Sequence, residues 1–391
     1  MKTQLLASVS VACALVVAVG SLIAGPLDPP AGPAASTYKT LTDVEPRIMV
    51  SQANTPGDND ATPAIFKITK PGSYYLGGDV TGVAGRIGIE IDAPDVTLDL
   101  NGFTCKGVEG SLTGIRVNQS RAVIRNGRVG FWGQGGIKFV GGQAYSSEVR
   151  NVRAMFNTGI GIELTSYSSA IDCVAEYNTA TGIRLYAIGT AINCTAMHNG
   201  TTVDDAGFAV DNSQNQLINC RSSSNTGSGY YANSWNSFEG CMAASNGASG
   251  FEVGNCQLTR CTTNNNTGYG FNALSGGVKI DSCQAANNGL SGFTLGTGCI
   301  VTDSLASGHA SASQAGFYVA GNGSRITGSH AYNNARGFFA GSNLNAFLAM
   351  NSASANTTAQ FVINAGNDNG AVITNPGTGF SSTNPFANVA P

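Results

Sequence analysis

Four side chains, Arg116, Lys138, Glu163 and Arg184, hold the same place in a short recurring motif, two residues after a glycine and between two apolar residues. If the motif is a strand that stacks on its own copies, the four stand one above another over about 15 Å of one face. Three cations around one carboxylate could grip an anionic polymer, and Lys138 or an arginine beside an acidic carbon could abstract its proton. The same residues also read as an opposite-charge ladder on an exposed sheet, worth roughly a few tenths of a kcal/mol per pair.

Such charges are scarce here. Basic residues number 20 and acidic residues 23 in 391, or 11% charged, where roughly a quarter is usual. A net charge of -3 excludes a nucleic-acid binder that works by bulk charge. A hydrophobic content of 42% excludes a charged disordered chain. The 52 glycines suggest that one short repeat sets the composition.

The repeat is visible from Gly88 onward. Glycine, apolar, any, apolar recurs twelve times, from GIEI at 88 through GIKF at 136 and GFEV at 250 to GFFA at 337, at intervals of 20 to 26 residues. Between copies lies a second marker, a cysteine at 173, 194, 220, 241, 261 and 283 with an asparagine five residues later, at 178, 199, 225, 246, 266 and 288. Asn157 and Asn334 extend that column. Two short alternating strands per repeat predict the coil of a parallel β-helix. The fold expected is all-β, a single-stranded right-handed parallel β-helix solenoid of about 12 or more coils with caps at both ends. Ile89, Ile115 and Ile137 should stack inward with Phe251, Phe271 and Phe293, and the middle residue of each motif should face solvent. The asparagine column should mark a left-handed turn and hydrogen-bond from coil to coil.

The cysteines read most simply as a buried ladder, since a free thiol packs as a small hydrophobe. Cys256 and Cys299 lie five residues before that column and two coils apart, about 10 Å, too far for a bridge. No C-x-x-C pair occurs and His198, His309 and His330 are scattered, which disfavours zinc. At the N-terminus, the uncharged run from Leu5 to Ala24 reads as a signal peptide or a retained anchor over residues 1–25. Residues 26–60 then form a Pro/Gly-rich entry, 61–375 the solenoid and 376–391 a tail, in a chain expected to be secreted or on the cell surface.

GIEI-x4-VTLDLNGF from Gly88, VIRNGRVGFWGQGGI from Val123 and the Cys/Asn coils resemble the right-handed parallel β-helix repeat proteins of the pectate-lyase-like superfamily, over about residues 60 to 375. The resemblance implies secretion and an extracellular polysaccharide or cell-envelope partner; the family's enzymes are lyases, hydrolases and epimerases. Its hydrolase motifs are not reproduced, since Gly308-His309 is followed by Ala310, and the epimerase DPH motif is missing. Asp204-Asp205 is the one paired acid, read as a polar loop or a weak calcium ligand set, with no other cofactor expected. Tyr231, Tyr318 and Phe339 could offer rings to sugars. Two readings stand: a non-catalytic scaffold that binds polysaccharide or builds the envelope, and a polysaccharide lyase, hydrolase or epimerase acting on an acidic glycan along the Arg116 to Arg184 strip.

Overall fold

The structure, a computed structural model, describes residues 46–374 and 384–390, and those from Arg47 onward belong to one compact unit. The segment read as a signal peptide lies outside the described residues, as does most of the C-terminal tail.

Successive coils pair in parallel, and equivalent residues meet as register partners: Ile137 faces Ile115 and Ile162, and Phe271 faces Phe251 and Phe293. One sheet stacks 14 strands, from Ala64–Ile68 to Ala359–Ile363. The coil differs from the expected one in having three strands instead of two. After Ile160–Leu164 of this first sheet come Ser169–Ile171 and Val174–Glu176, of a second and a third stack. In two N-terminal coils the latter strands fuse into Val123–Gly130 and Glu148–Met155, which ties the two stacks together. The extra strand escaped the sequence reading because three residues are too few to show an alternation.

Each coil turns its corners through single left-handed residues. Asp172 and Asn193, both at φ 54°, lie between the second and third strands, and Tyr177 and His198, both at φ 53°, follow the third. Small polar residues tolerate this conformation best, which accounts for Asp172 and Asp303 in the column. The sequence led us to expect the repeated asparagine to be the left-handed residue; instead it comes directly after that residue and is buried. Asn157, Asn178 and Asn199 are buried, and Nδ2 of each donates to Oδ1 of the next, at 2.8 Å from Asn157 to Asn178 and from Asn178 to Asn199. The ladder also caps main chain: Asn199 Nδ2 donates to the Ala175 carbonyl at 2.9 Å, and Asn225 Oδ1 accepts from the Asn199 amide at 2.9 Å. Space at this corner explains the motif glycine. A Cβ on Gly182 would lie 2.7 Å from Asn199 Nδ2 and 2.8 Å from the Gly207 carbonyl oxygen.

Like residues fill the interior in columns. From Phe208 through Tyr230, Phe251 and Phe271 to Phe361, rings in successive coils stack with centroids 4.4 to 5.2 Å apart, each pair adding about 0.5–1.5 kcal/mol to its burial. The cysteine column is inward, and all nine described cysteines are free and buried. Their thiols donate to main chain, as Cys194 does to the Ala170 carbonyl at 3.3 Å. Of the two tryptophans, Trp132 is buried and donates Nε1–H to the Cys105 carbonyl at 2.9 Å. Trp235, in a turn, is 75% exposed. A second aromatic stack runs outside, where Phe131, Phe156, Tyr177 and His198 hold the left-handed corner after the third strand with centroids 4.8 to 5.2 Å apart.

Removing one rung of the asparagine ladder should be costly. Asn199→Ala orphans buried groups on two neighbouring coils, at about 1–3 kcal/mol each, so its urea midpoint should fall well below that of a surface change such as Lys279→Gln. His309 takes the place of an asparagine in the same column. Its Nε2 faces the Ala285 carbonyl at 3.2 Å and its Nδ1 the Leu290 carbonyl at 3.1 Å. Burial holds this imidazole below its ordinary range, against the pull of those carbonyls. Acid therefore protonates the unfolded chain first, and the contribution of His309 to stability is present above about pH 6.5 and lost as the pH falls below it. Thermal melts from pH 7.5 to 5 should show a smaller acid loss for His309→Asn than for wild type.

Candidate functional site

The candidate residues share the outer face of the first sheet. Register partners run from Arg116 to Lys138, Glu163, Arg184, Ala209, Tyr231 and Glu252 without a break. The chain of partners also extends upstream, from Arg116 to Glu90 and from Glu90 to Lys67. Lys67 has no motif glycine, and only the FKI alternation in its strand could have revealed it.

This column is less exposed than its outward direction suggests. Glu90 is 1% exposed and Thr294 2%, because long neighbours and the flanking turns cover them. The strip is not uniformly basic either. Lys138 Nζ lies 3.4 Å from the Glu163 carboxylate, and Arg184 Nε lies 3.6 Å from Asp211. Arg116 donates Nε–H to Asn118 Oδ1 at 3.1 Å. Lys138 and Arg184 are thus each held beside a carboxylate, while Arg116 and Lys138 are neighbouring cations in the register.

Two clefts open on this face. The first, about 560 Å³, lies over Lys138 and Glu163 and is walled by Tyr145, Tyr167 and Tyr186 from the turns that follow the strands. Burial, with the Glu163 carboxylate nearby, pushes the Tyr186 phenol up. The second, about 340 Å³, lies over Arg184, Tyr231 and Glu252 and is closed by the turn that carries Asp204. The three tyrosines escaped the sequence reading because they stand in the turns, outside the period; Tyr186 directly follows the motif GIRL.

The remaining candidates separate. Asp205 closes its own turn: its carboxylate accepts from the amides of Thr201 at 3.0 Å and Thr202 at 2.9 Å. Tyr231 is 40% exposed on the floor of the second cleft. Tyr318 and Phe339 lie farther along the column and stack on each other at 4.9 Å, with Arg336 5.1 Å from the Phe339 ring. That leaves these rings little face for a sugar.

The densest charge cluster is upstream. The carboxylates of Asp58, Asp60 and Glu90 approach within 4.8 Å of one another, close enough to share a metal ion. Lys67 Nζ already stands among them, 2.6 Å from Asp58, 3.1 Å from Asp60, 3.1 Å from Glu90 and 3.7 Å from Asp92. The Thr62 amide and Lys67 together hold the Asp60 carboxyl down at about 2, and Asp58 with Glu90 pushes the Lys67 ammonium well above its ordinary range. The ammonium thus does structurally what a bound cation would do. Its removal leaves the buried Glu90 beside like charges, so Lys67→Met should cost about 3–5 kcal/mol in chemical unfolding.

With this geometry in place, comparison with known proteins gives one family match: the right handed beta helix region matches residues 135–285. No curated protein matches the sequence. Among solved structures, pectate lyase Pel9A is 16% identical with a TM-score of 0.43, the match covering 66% of this chain and 71% of that one. The Azotobacter vinelandii mannuronan C-5 epimerase AlgE6 A-module is 16% identical with a TM-score of 0.48, covering 76% and 90%. The Dettilon tailspike protein (gp208) is 11% identical with a TM-score of 0.39, covering 81% and 61%. The family model spans residues 135–285, and the same coil continues on both sides of them; the fold of the chain is a right-handed parallel β-helix.

Proposed function

We propose that this is an exported, non-catalytic β-helix scaffold that binds polysaccharide along the outer face of its first sheet, from Lys138 to Glu252. The observation that carries the reading is the pair of clefts over one unbroken column of side chains. Tyrosine rings wall the first and floor the second, and aromatic rings can pack on the apolar faces of sugars. Between them, fixed ion pairs present donors and acceptors side by side, as the hydroxyls of a sugar require. The register continues from one cleft to the other, so an extended chain can lie parallel to the helix axis.

Recognition suits the residues better than turnover does. Lys138 and Arg184, the cations that could take a proton, are both in contact with carboxylates. The C-terminal coils add little acid or base: between Val253 and Gln360 the charged residues are Arg260, Lys279, Asp281, Asp303, Arg325 and Arg336. The tyrosines and ion pairs that remain define shape and hydrogen bonding along the face.

A glycan array followed by titration calorimetry tests the proposal. The protein should bind at least one polysaccharide, and Tyr167→Ala and Tyr231→Ala should each weaken binding about 2- to 12-fold, equivalent to roughly 0.5–1.5 kcal/mol per lost ring contact. Unsaturated or shortened products from the bound glycan would replace the scaffold with an enzyme. Binding that ignores both tyrosines would place the ligand elsewhere.

A further inference from the structure

A separate feature lies on the fused strands of the second and third stacks, away from the first-sheet face. Strands Val123–Gly130 and Glu148–Met155 align Arg125 with Arg150 and Arg128 with Arg153. Two cation pairs thus face each other across one strand pair, an arrangement that repels unless something neutralises it. Three of the four guanidiniums have carboxylate partners. Arg125 lies 3.2 Å from Asp99, Arg150 lies 2.8 Å from Glu148, and Arg153 pairs with Glu176. Arg128 differs: its guanidinium donates to the Gly102 carbonyl at 3.5 Å.

The surface between these residues is concave. A depression of about 360 Å³ is lined by Arg128, Arg153, Asn126, Asn151 and Asp172. Its shape comes from the corners: Asn126 at φ 60° and Asn151 at φ 51° are the left-handed residues that bend the two long strands. Asn151 Nδ2 donates to Asn126 Oδ1 at 3.1 Å. The one carboxylate in the lining, Asp172, accepts from Asn193 Nδ2 at 3.1 Å.

We propose that Arg128 and Arg153 form an oxyanion-binding site, taking a sulfate, phosphate or carboxylate group carried by an extracellular polymer. A guanidinium offers a planar fork of donors that matches such groups. Arg128 supplies an unneutralised fork, and Arg153, 45% exposed beyond its contact with Glu176, supplies a second charge one coil along. An anion between them would relieve the repulsion that the register imposes. The site is independent of the first-sheet clefts, so it stands whether or not those bind glycan.

Binding of dextran sulfate, polyphosphate and polygalacturonate, with uncharged dextran as control, tests the site by calorimetry at low and high salt. At least one polyanion should bind at low salt, with affinity falling as salt rises, and the tightest of the three identifies the group. Arg128→Gln and Arg153→Gln should each weaken that binding by about tenfold or more, while Lys279→Gln, a lost charge elsewhere, should not. Circular dichroism melts confirm that the exposed substitutions leave the fold intact. The proposal is overturned if no polyanion binds, if either arginine variant binds as wild type does, or if Lys279→Gln weakens binding equally.

Discussion

Vertical register governs this molecule: each residue's nearest non-local neighbour is its own counterpart one coil away, joined by parallel main-chain hydrogen bonds. The rule has a physical price at the corner where three groups crowd together, the buried asparagine amide, the motif glycine and the carbonyl of the next coil. A side chain at Gly182 would strike both of the others, so glycine and asparagine recur as a set. With that corner fixed, isoleucine meets isoleucine, phenylalanine meets phenylalanine and thiol meets thiol. The interior is then a bundle of columns, and each column can change its residue type gradually, as the cysteine column does when it gives way to Ser304 and Ser329.

Register also decides how charge is distributed outside. A charged residue cannot choose its axial neighbours, because the stack supplies them. Along the first sheet opposite charges alternate from Lys67 through Glu90 to Arg116 and again from Lys138 through Glu163 to Arg184, with one like-charged step between Arg116 and Lys138. Across Val123–Gly130 and Glu148–Met155 the result is repetition, with arginine above arginine. One principle of stacking thus produces a self-neutralised face and an electrostatically unfinished one on the same short stretch of coils.

Much of the architecture was legible because the period is written in residues that have no alternative. The motif glycine, the inward aromatic and the asparagine five residues after the cysteine column each answer a local geometric demand, and their recurrence fixed the coils and the inward columns. The third strand was not legible, since three residues cannot display a pattern. Nor was the left-handed corner after the third strand, because its occupants range from Tyr177 and His198 to Ser224 and Asn265 and share no chemical type. At the site, the column from Arg116 to Arg184 followed from spacing alone. The walls did not: Tyr145 and Tyr167 belong to turns whose lengths vary from coil to coil, and the partnership of Arg184 with Asp211 depends on how one such turn folds back.

The independence of the coils has an evolutionary corollary. Since a coil closes only on those above and below it, duplication or deletion of one whole period leaves every column continuous, whereas an insertion of one residue inside a strand would turn its side chains to the opposite face. The spread of intervals, 20 to 26 residues, shows where such small changes have been absorbed, in the turns. Descendants of this gene can therefore vary the length of the rod in unit steps while retaining its cross-section.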